Sequence, residues 1–260
     1  MTFLIDFVNI HLIRERIKML IINADFLEYS KQISDNSIDL IITDPPYGVG
    51  YKNQYYDDSE DAVIKQIYHW LQSMYRVLKE DSYLAMFVGV KNLDHWLVNA
   101  KITGWNFKNI IATRSFNNGA KRAPNNFGFQ FQPILLFSKG KGHKFNNVDF
   151  IPTSKEWFND KRNKNPNPYT YEYPNWIKTE WAFGTAKNSI KHNHPNEKNV
   201  DLIEFLVKVL SNKGDVVLDP FMGSGSSGLA CKRCGRDFIG VDINEDLVNI
   251  AKSRLDESNI

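Results

Sequence analysis

Short apolar runs and longer amphipathic segments alternate along the chain. The runs "MLIINAD" (Met19 to Asp25) and "SIDLIITD" (Ser37 to Asp44) each end in an acid and predict two buried strands. In "DAVIKQIYHWLQSMYRVLKE", Val63, Ile67, Leu71, Met74 and Leu78 recur on one helical face. Asp57, Asp58, Glu60 and Asp61 crowd the start of that helix, where its dipole favours acids. "SYLAMFVG", "NIIATRSF" and "PILLFSK" predict a third, fourth and fifth strand. Periodicity is lost from about residue 139 to 190 and returns in "NVDLIEFLVKVLSNKG", a helix that Gly214 is expected to stop. "DVVLDP" is a strand, "GSSGLACKRCG" opens a helix, "RDFIGVDI" is a strand, and "NEDLVNIAKSRL" is a helix capped by Asn244. Such alternation predicts an α/β fold with a doubly wound sheet.

Composition changes this picture little. The chain has 260 residues, 42% apolar and 24% charged, enough for one full-sized core with a small insert. No apolar run reaches the roughly 18 residues of a membrane span. The first 18 residues, interrupted by Asp6, His11, Arg14 and Glu15, read as an N-terminal extension rather than a signal peptide. Two cysteines and no signal make a reducing cytoplasm the expected location. Cys231 and Cys234 form a C-x-x-C pair with no second pair, and their place in a helix accounts for them; no metal is expected.

Charge changes it more. Residues 1–100 carry −5, residues 101–198 carry +10 and residues 199–260 carry −3. The basic middle interleaves lysines with amides and rings, as in "NNFGFQFQ" and "NKNPNPYTYEYPNW". Lysines suit phosphates, while amides and rings suit base edges and stacking. Lys121, Arg122, Lys161, Arg162 and Lys164 are the candidate nucleic-acid contacts, and a solvated loop region is the alternative reading of this stretch.

Two stretches carry chemistry. "DVVLDPFMGSGSSG" sets a glycine-rich loop between a buried strand and a helix, so that backbone approaches a ligand closely at the helix N-terminus. Asp242 follows 17 residues after Gly225, near the roughly 20-residue spacing of an acid that binds ribose hydroxyls. The loop lacks the Gly-Lys-Ser/Thr of a P-loop, which argues against ATP hydrolysis. "TDPPYGVG" ends a strand with Asp44, the stiff corner Pro45-Pro46, and Tyr47.

Together, "DPPY", "HPNEK" (His194 to Lys198) and "DPFMGSG" resemble the amino-group DNA methyltransferases, the N6-adenine and N4-cytosine type, in the order of their beta class. The resemblance covers roughly Met19 to Leu255. It implies a Rossmann-like methyltransferase sheet with circularly permuted motifs and a small basic target-recognition insert. It divides the chain into the extension (1–18), a catalytic half (19–138), a target-recognition region (139–191) and a cofactor-binding half (192–260).

It also implies S-adenosylmethionine as cofactor and a base flipped from double-stranded DNA. Asp44 and the Pro45 carbonyl would accept the amino hydrogens, Pro46 would hold the corner, and Tyr47 would stack on the base. Phe221, Gly223 and Gly225 would line the methionine moiety, with Asp219 before them and Ser224 and Ser226 in the same loop. Asp242 would take the ribose, Asp25 would lie near the cofactor adenine, and Lys198 would meet the cofactor carboxylate. The sequence departs from the family at Asn199, where proline is usual, and at Ser226 and Ser227, where threonines are common.

Asp44 favours adenine, since members acting on cytosine N4 more often carry serine there. The other readings are N4-cytosine methylation, protein glutamine methylation, an RNA target, and a DNA-binding module without catalysis. A homodimer and a cognate restriction endonuclease are family-level expectations.

Overall fold

The computed structural model describes residues 18–51, 54–114, 131–143, 145–146, 176–177 and 198–257. The five candidate DNA contacts, His194, and all but the last residue of the N-terminal extension lie outside them.

The elements in chain order are β1 (Met19–Asn23), α1 (Phe26–Ser30), β2 (Ile38–Thr43), α2 (Glu60–Val77), β3 (Leu78–Phe87), α3 (Leu93–Ile102), β4 (Asn106–Arg114), β5 (Phe131–Ser138), β6 (Trp176–Ile177), α4 (Val200–Leu210), β7 (Val216–Asp219), α5 (Ser226–Cys234), β8 (Asp237–Asp242) and α6 (Glu245–Glu257). They form one sheet in the order β1-β8-β7-β2-β3-β5-β4-β6. β1, β8, β7, β2 and β3 are parallel, and β5 runs antiparallel to both β3 and β4. The late strands β7 and β8 are thus wedged between the early strands β1 and β2. The two halves of the sequence share one sheet rather than forming two bodies.

Both faces of the sheet are covered, which is why its central strands read as unbroken apolar runs. From Leu40 onward, past the register shift after Ile38, successive residues of β2 point to opposite faces. Ile38 and Ile41 join Trp70, Met74, Trp96 and Leu218 on the α1–α2–α3 side. Leu40 and Ile42 join Leu206, Cys231, Phe238 and Val248 on the α4–α5–α6 side. Cys231 and Cys234 are buried in this second layer, and burial raises both thiols, so they pack as small apolar groups.

Three details differ from the sequence reading. Leu78 is not on the helical face: it caps α2 and opens β3, which starts four residues before the expected "SYLAMFVG". The pairing shifts between Ile38 and Leu40, and Asp81 has φ 59, so the strand begins before an irregularity that breaks its pattern. Gly214 does not stop α4. That helix ends at Leu210 with Ser211 as its cap, and Gly214, at φ +80, turns the chain into β7. The helix α3 has no counterpart in the sequence reading. Lys139 is buried and donates to Asn36 Oδ1 (2.6 Å) and the Leu78 carbonyl (2.9 Å), and Asn146 N–H donates to the Val209 carbonyl (3.0 Å).

Candidate active site

The chain leaves β7 for β8 on one side of the sheet and β2 for β3 on the other. The carboxyl ends of neighbouring β7 and β2 therefore bound a switch point, where open α/β sheets leave a crevice. A cleft of about 1170 Å³ opens there. Four parallel strands each deliver an aspartate to it: Asp25 just beyond β1, Asp44 just beyond β2, Asp219 at the end of β7 and Asp242 at the end of β8. Pro45, Pro46, Tyr47, Lys198, Phe221, Gly223, Ser224 and Ser226 also line it. Of the sequence-predicted cofactor and catalytic residues, Gly225 alone is absent from the lining.

At the β2 end, Tyr47 Oη donates to Asp44 Oδ1, and Lys198 Nζ lies 2.6 Å from Asp44 Oδ2. Gln132 Nε2 on β5 donates to Tyr47 Oη, and Asn92 Nδ2 donates to the Tyr47 carbonyl at 2.9 Å. Burial, then the Asp44 charge, pushes the Tyr47 phenol well above its ordinary 10.0, so it remains a donor. Tyr47 is therefore a tethered hydroxyl as well as a ring facing the cleft. Lys198, expected at the cofactor carboxylate, is placed on Asp44.

At the β7 end, Asp219 is buried and organises the glycine-rich loop from within. Phe221 N–H donates to its Oδ1 (3.1 Å) and Ser227 Oγ to its Oδ2 (2.5 Å). Phe221 is wedged edge-on against Phe26 and Trp70, with ring centroids 6.1 and 5.0 Å away. Asp242 accepts from Gly223 N–H and Asn244 N–H, both at 2.8 Å. Asp25 caps α1 by accepting from Glu28 N–H at 3.1 Å. Ser224 is buried, and its carbonyl and Oγ accept from Arg254 at 2.8 and 3.0 Å. Gly225 has a packing role: it caps α5 at φ +83, and a Cβ there would come within 2.9 Å of Ala251 Cβ on α6.

Comparison with known proteins agrees with this geometry. Residues 38–253 match the N6/N4 methyltransferase family, described as DNA methylase. The chain belongs to the N6/N4 DNA methylase family. This methylase is 31% identical over 244 residues to the type II methyltransferase M.HpaI of Haemophilus parainfluenzae, covering 91% of this chain and 74% of that protein. It is 30% identical over 249 residues to the DNA adenine methyltransferase YhdJ of Escherichia coli K12, covering 91% and 82%. Its fold is that of the solved M1.HpyAVI–SAM complex, with a TM-score of 0.62 at 23% identity, covering 91% of this chain and 100% of that one.

The loop after the methylase's DPPY stretch is held by a residue that sequence reasoning assigned elsewhere. Asp58 does not serve the helix dipole. It is buried, and its carboxylate accepts from Gly48 N–H (3.0 Å), Val49 N–H (3.2 Å) and Tyr51 N–H (2.8 Å). Its own carbonyl accepts from Gly50 N–H at 2.8 Å. Gly48 must be glycine, with φ +68 and a Cβ that would meet Asn92 Nδ2 at 2.9 Å. Asp58→Ala strands those amides, so a stability loss of about 1.5–3 kcal/mol is expected, as for hydrogen bonds to a charged group. Methyl transfer should slow more than cofactor binding weakens, and Asp58→Asn should recover part of both losses. Urea unfolding paired with single-turnover kinetics checks this.

Burial pushes the Asp219 carboxyl from 3.8 up to about 7, with the Ser227 and Phe221 hydrogen bonds offsetting part of the rise. The folded methylase thus holds this proton to higher pH than the unfolded chain does. Unfolding then releases a proton between about pH 4 and about pH 7, so the Asp219 contribution to stability falls as pH rises through that window and is level on either side. Asp219→Asn should remove this component. Urea midpoints at about pH 5 and pH 8 should show the variant gaining on wild type at the higher pH.

Among the described residues, no group of three or more His, Cys, Asp or Glu could hold a metal, and no helix is long and apolar enough to cross a membrane. Gln132, Asn92 and Arg254 were missed by sequence reasoning. Each acts through a partner at least 30 residues away in the chain, at a distance where no local pattern carries a signal.

Proposed function

We propose that the protein transfers a methyl group from S-adenosylmethionine to the N6 amino group of adenine in double-stranded DNA, on a base turned out of the duplex. The observation that carries this reading is the meeting of two motifs in one cleft: Asp44 through Tyr47 beyond β2, and Asp219 through Gly223 beyond β7. The type II and adenine methyltransferase names of the relatives agree with it.

The residues present fit the cofactor. Gly223 has φ +52, and a Cβ there would meet nothing within 4 Å, so its backbone borders open space. Asp25 and Asp242 offer acceptors, and Phe221 offers an apolar wall. When bound, S-adenosylmethionine supplies an electrophilic methyl on a sulfonium.

An exocyclic amino nitrogen is a poor nucleophile, because its lone pair is delocalised into the ring. Asp44 and the Pro45 carbonyl would accept its two hydrogens and raise its electron density. Each carboxylate oxygen has two acceptor sites, so Asp44 can serve the amino group while Tyr47 Oη stays bound to Oδ1. A nitrogen that took the methyl from the sulfonium, leaving a neutral thioether, would become cationic, and Asp44 would accept its proton. Positioning and fixed charge supply the rate.

The family name covers both adenine N6 and cytosine N4, so the carboxylate at Asp44 carries the choice of adenine. Expression in a methylation-free host, followed by base mapping of its DNA, tests it. N6-methyladenine at a defined site is expected. N4-methylcytosine would move the target while keeping the site, and unmodified DNA would count against methylation of DNA. DNA affinity should also fall with salt, with a log–log slope of roughly −0.9 per phosphate contact, if the basic middle holds the backbone.

A further inference from the structure

Lys198 is paired with Asp44 inside the cleft. Its ammonium lies 2.6 Å from Asp44 Oδ2, and its side chain is only 10% exposed. The same Nζ lies 5.4 Å from the centroid of the Tyr47 ring and 5.6 Å from that of Phe87. Its backbone is delivered by a fixed helix start: Asn199 Oδ1 accepts from Leu202 N–H at 3.0 Å, and Leu202, Ile203 and Leu206 anchor α4 on the sheet. The ammonium can therefore move only over the reach of its own stem.

Charge in the cleft supplies the second half. Eight carboxyl side chains and two lysines line it, Lys65 being exposed and Lys198 inside. S-adenosylmethionine brings a sulfonium, an ammonium and one carboxylate. The two cationic groups suit acidic walls. The carboxylate does not, and among the described lining residues Lys198 is the one cation placed deep enough to meet it.

We propose that Lys198 is a charge switch between Asp44 Oδ2, where the structure places it, and the cofactor carboxylate. Drawn toward the cofactor, it uncovers the oxygen that receives the target amino group, so cofactor binding prepares the acceptor for the base. The inference rests on the reading of Asp44 as that acceptor. Because coupling is reciprocal, Asp44 and the cofactor carboxylate compete for one ammonium. Removing the Asp44 charge should then strengthen binding of a ligand that carries the carboxylate. Loss of a merely structural residue would weaken it.

The sulfonium would obscure this, since Asp44 also attracts it. S-adenosylhomocysteine is the suitable probe, with a neutral thioether and the same carboxylate. 5′-Deoxy-5′-methylthioadenosine is its control, lacking the amino-acid part. Calorimetry on the full chain should show Asp44→Asn binding S-adenosylhomocysteine roughly three- to tenfold more tightly than wild type, the range of a partly buried ion pair, with methylthioadenosine unchanged. Lys198→Met should weaken S-adenosylhomocysteine alone, and Asp44→Asn should give no tightening in that background. Thermal melts confirm that each variant folds, and Lys198→Gln replaces Met if it does not. Unchanged or weaker binding in Asp44→Asn overturns the proposal. So does equal tightening of both ligands, or tightening that persists without Lys198. These affinities do not involve DNA, so a base map showing a target other than adenine would strike the functional reading and leave the switch standing.

Discussion

Asp44→Ala is expected to slow methyl transfer by on the order of 10²–10³, the usual cost of removing a preorganised group aimed at developing charge. The carboxylate is half-buried in the wall of the cleft, fixed on one oxygen by Tyr47 and on the other by Lys198. Alanine removes both the acceptor and its charge. Asp44→Asn keeps a carbonyl oxygen without the charge and should fall between alanine and wild type. Cofactor binding should survive in both, because Gly223 and Asp242 belong to other strands. Single-turnover methylation of a duplex carrying the mapped site measures the rate, with a melt to show that the variant folds. Wild-type rates in Asp44→Ala, with N6-methyladenine as product, would remove Asp44 from the mechanism.

The second large effect is expected at Asp242. Its two oxygens already hold the Gly223 and Asn244 amides at 2.8 Å, so the carboxylate shapes the glycine-rich loop and faces the cleft at once. Asp242→Ala should weaken S-adenosylmethionine binding by about 1.5–3 kcal/mol, roughly ten- to 150-fold. Asp242→Asn keeps one oxygen and should lose less. Calorimetry on the folded variants reads both. An Asp242→Ala protein that binds like wild type would remove Asp242 from the cofactor site.

Most strands were legible because each is buried on both faces and so writes an unbroken apolar run. Their closing acids were legible because a carboxylate after such a run has to sit at a strand end. Asp58 was misread for a related reason. It lies in a run of acids at a helix start, and nothing local separates a carboxylate that faces the dipole from one that turns back to three amides. The helix α3 escaped because His95 and Asn99 interrupt its apolar positions, although Trp96 and Ala100 are buried. Gly225 was read as a ligand contact because a glycine in a loop does not say what crowds it, and here it is Ala251 on α6.

The sequence by itself determined the alternation of strands and helices, the two motif loops and the four strand-end aspartates, since each depends on burial and backbone preference within a few residues. Only the tertiary structure decided that β7 and β8 slide between β1 and β2, which brings Asp44 and Asp219 to neighbouring strand ends. The same holds for the contacts of Gln132 with Tyr47, 85 residues apart, and of Lys198 with Asp44. Those depend on which strands lie side by side, and that order is set by how the two apolar faces of the whole sheet are covered, not by any single segment.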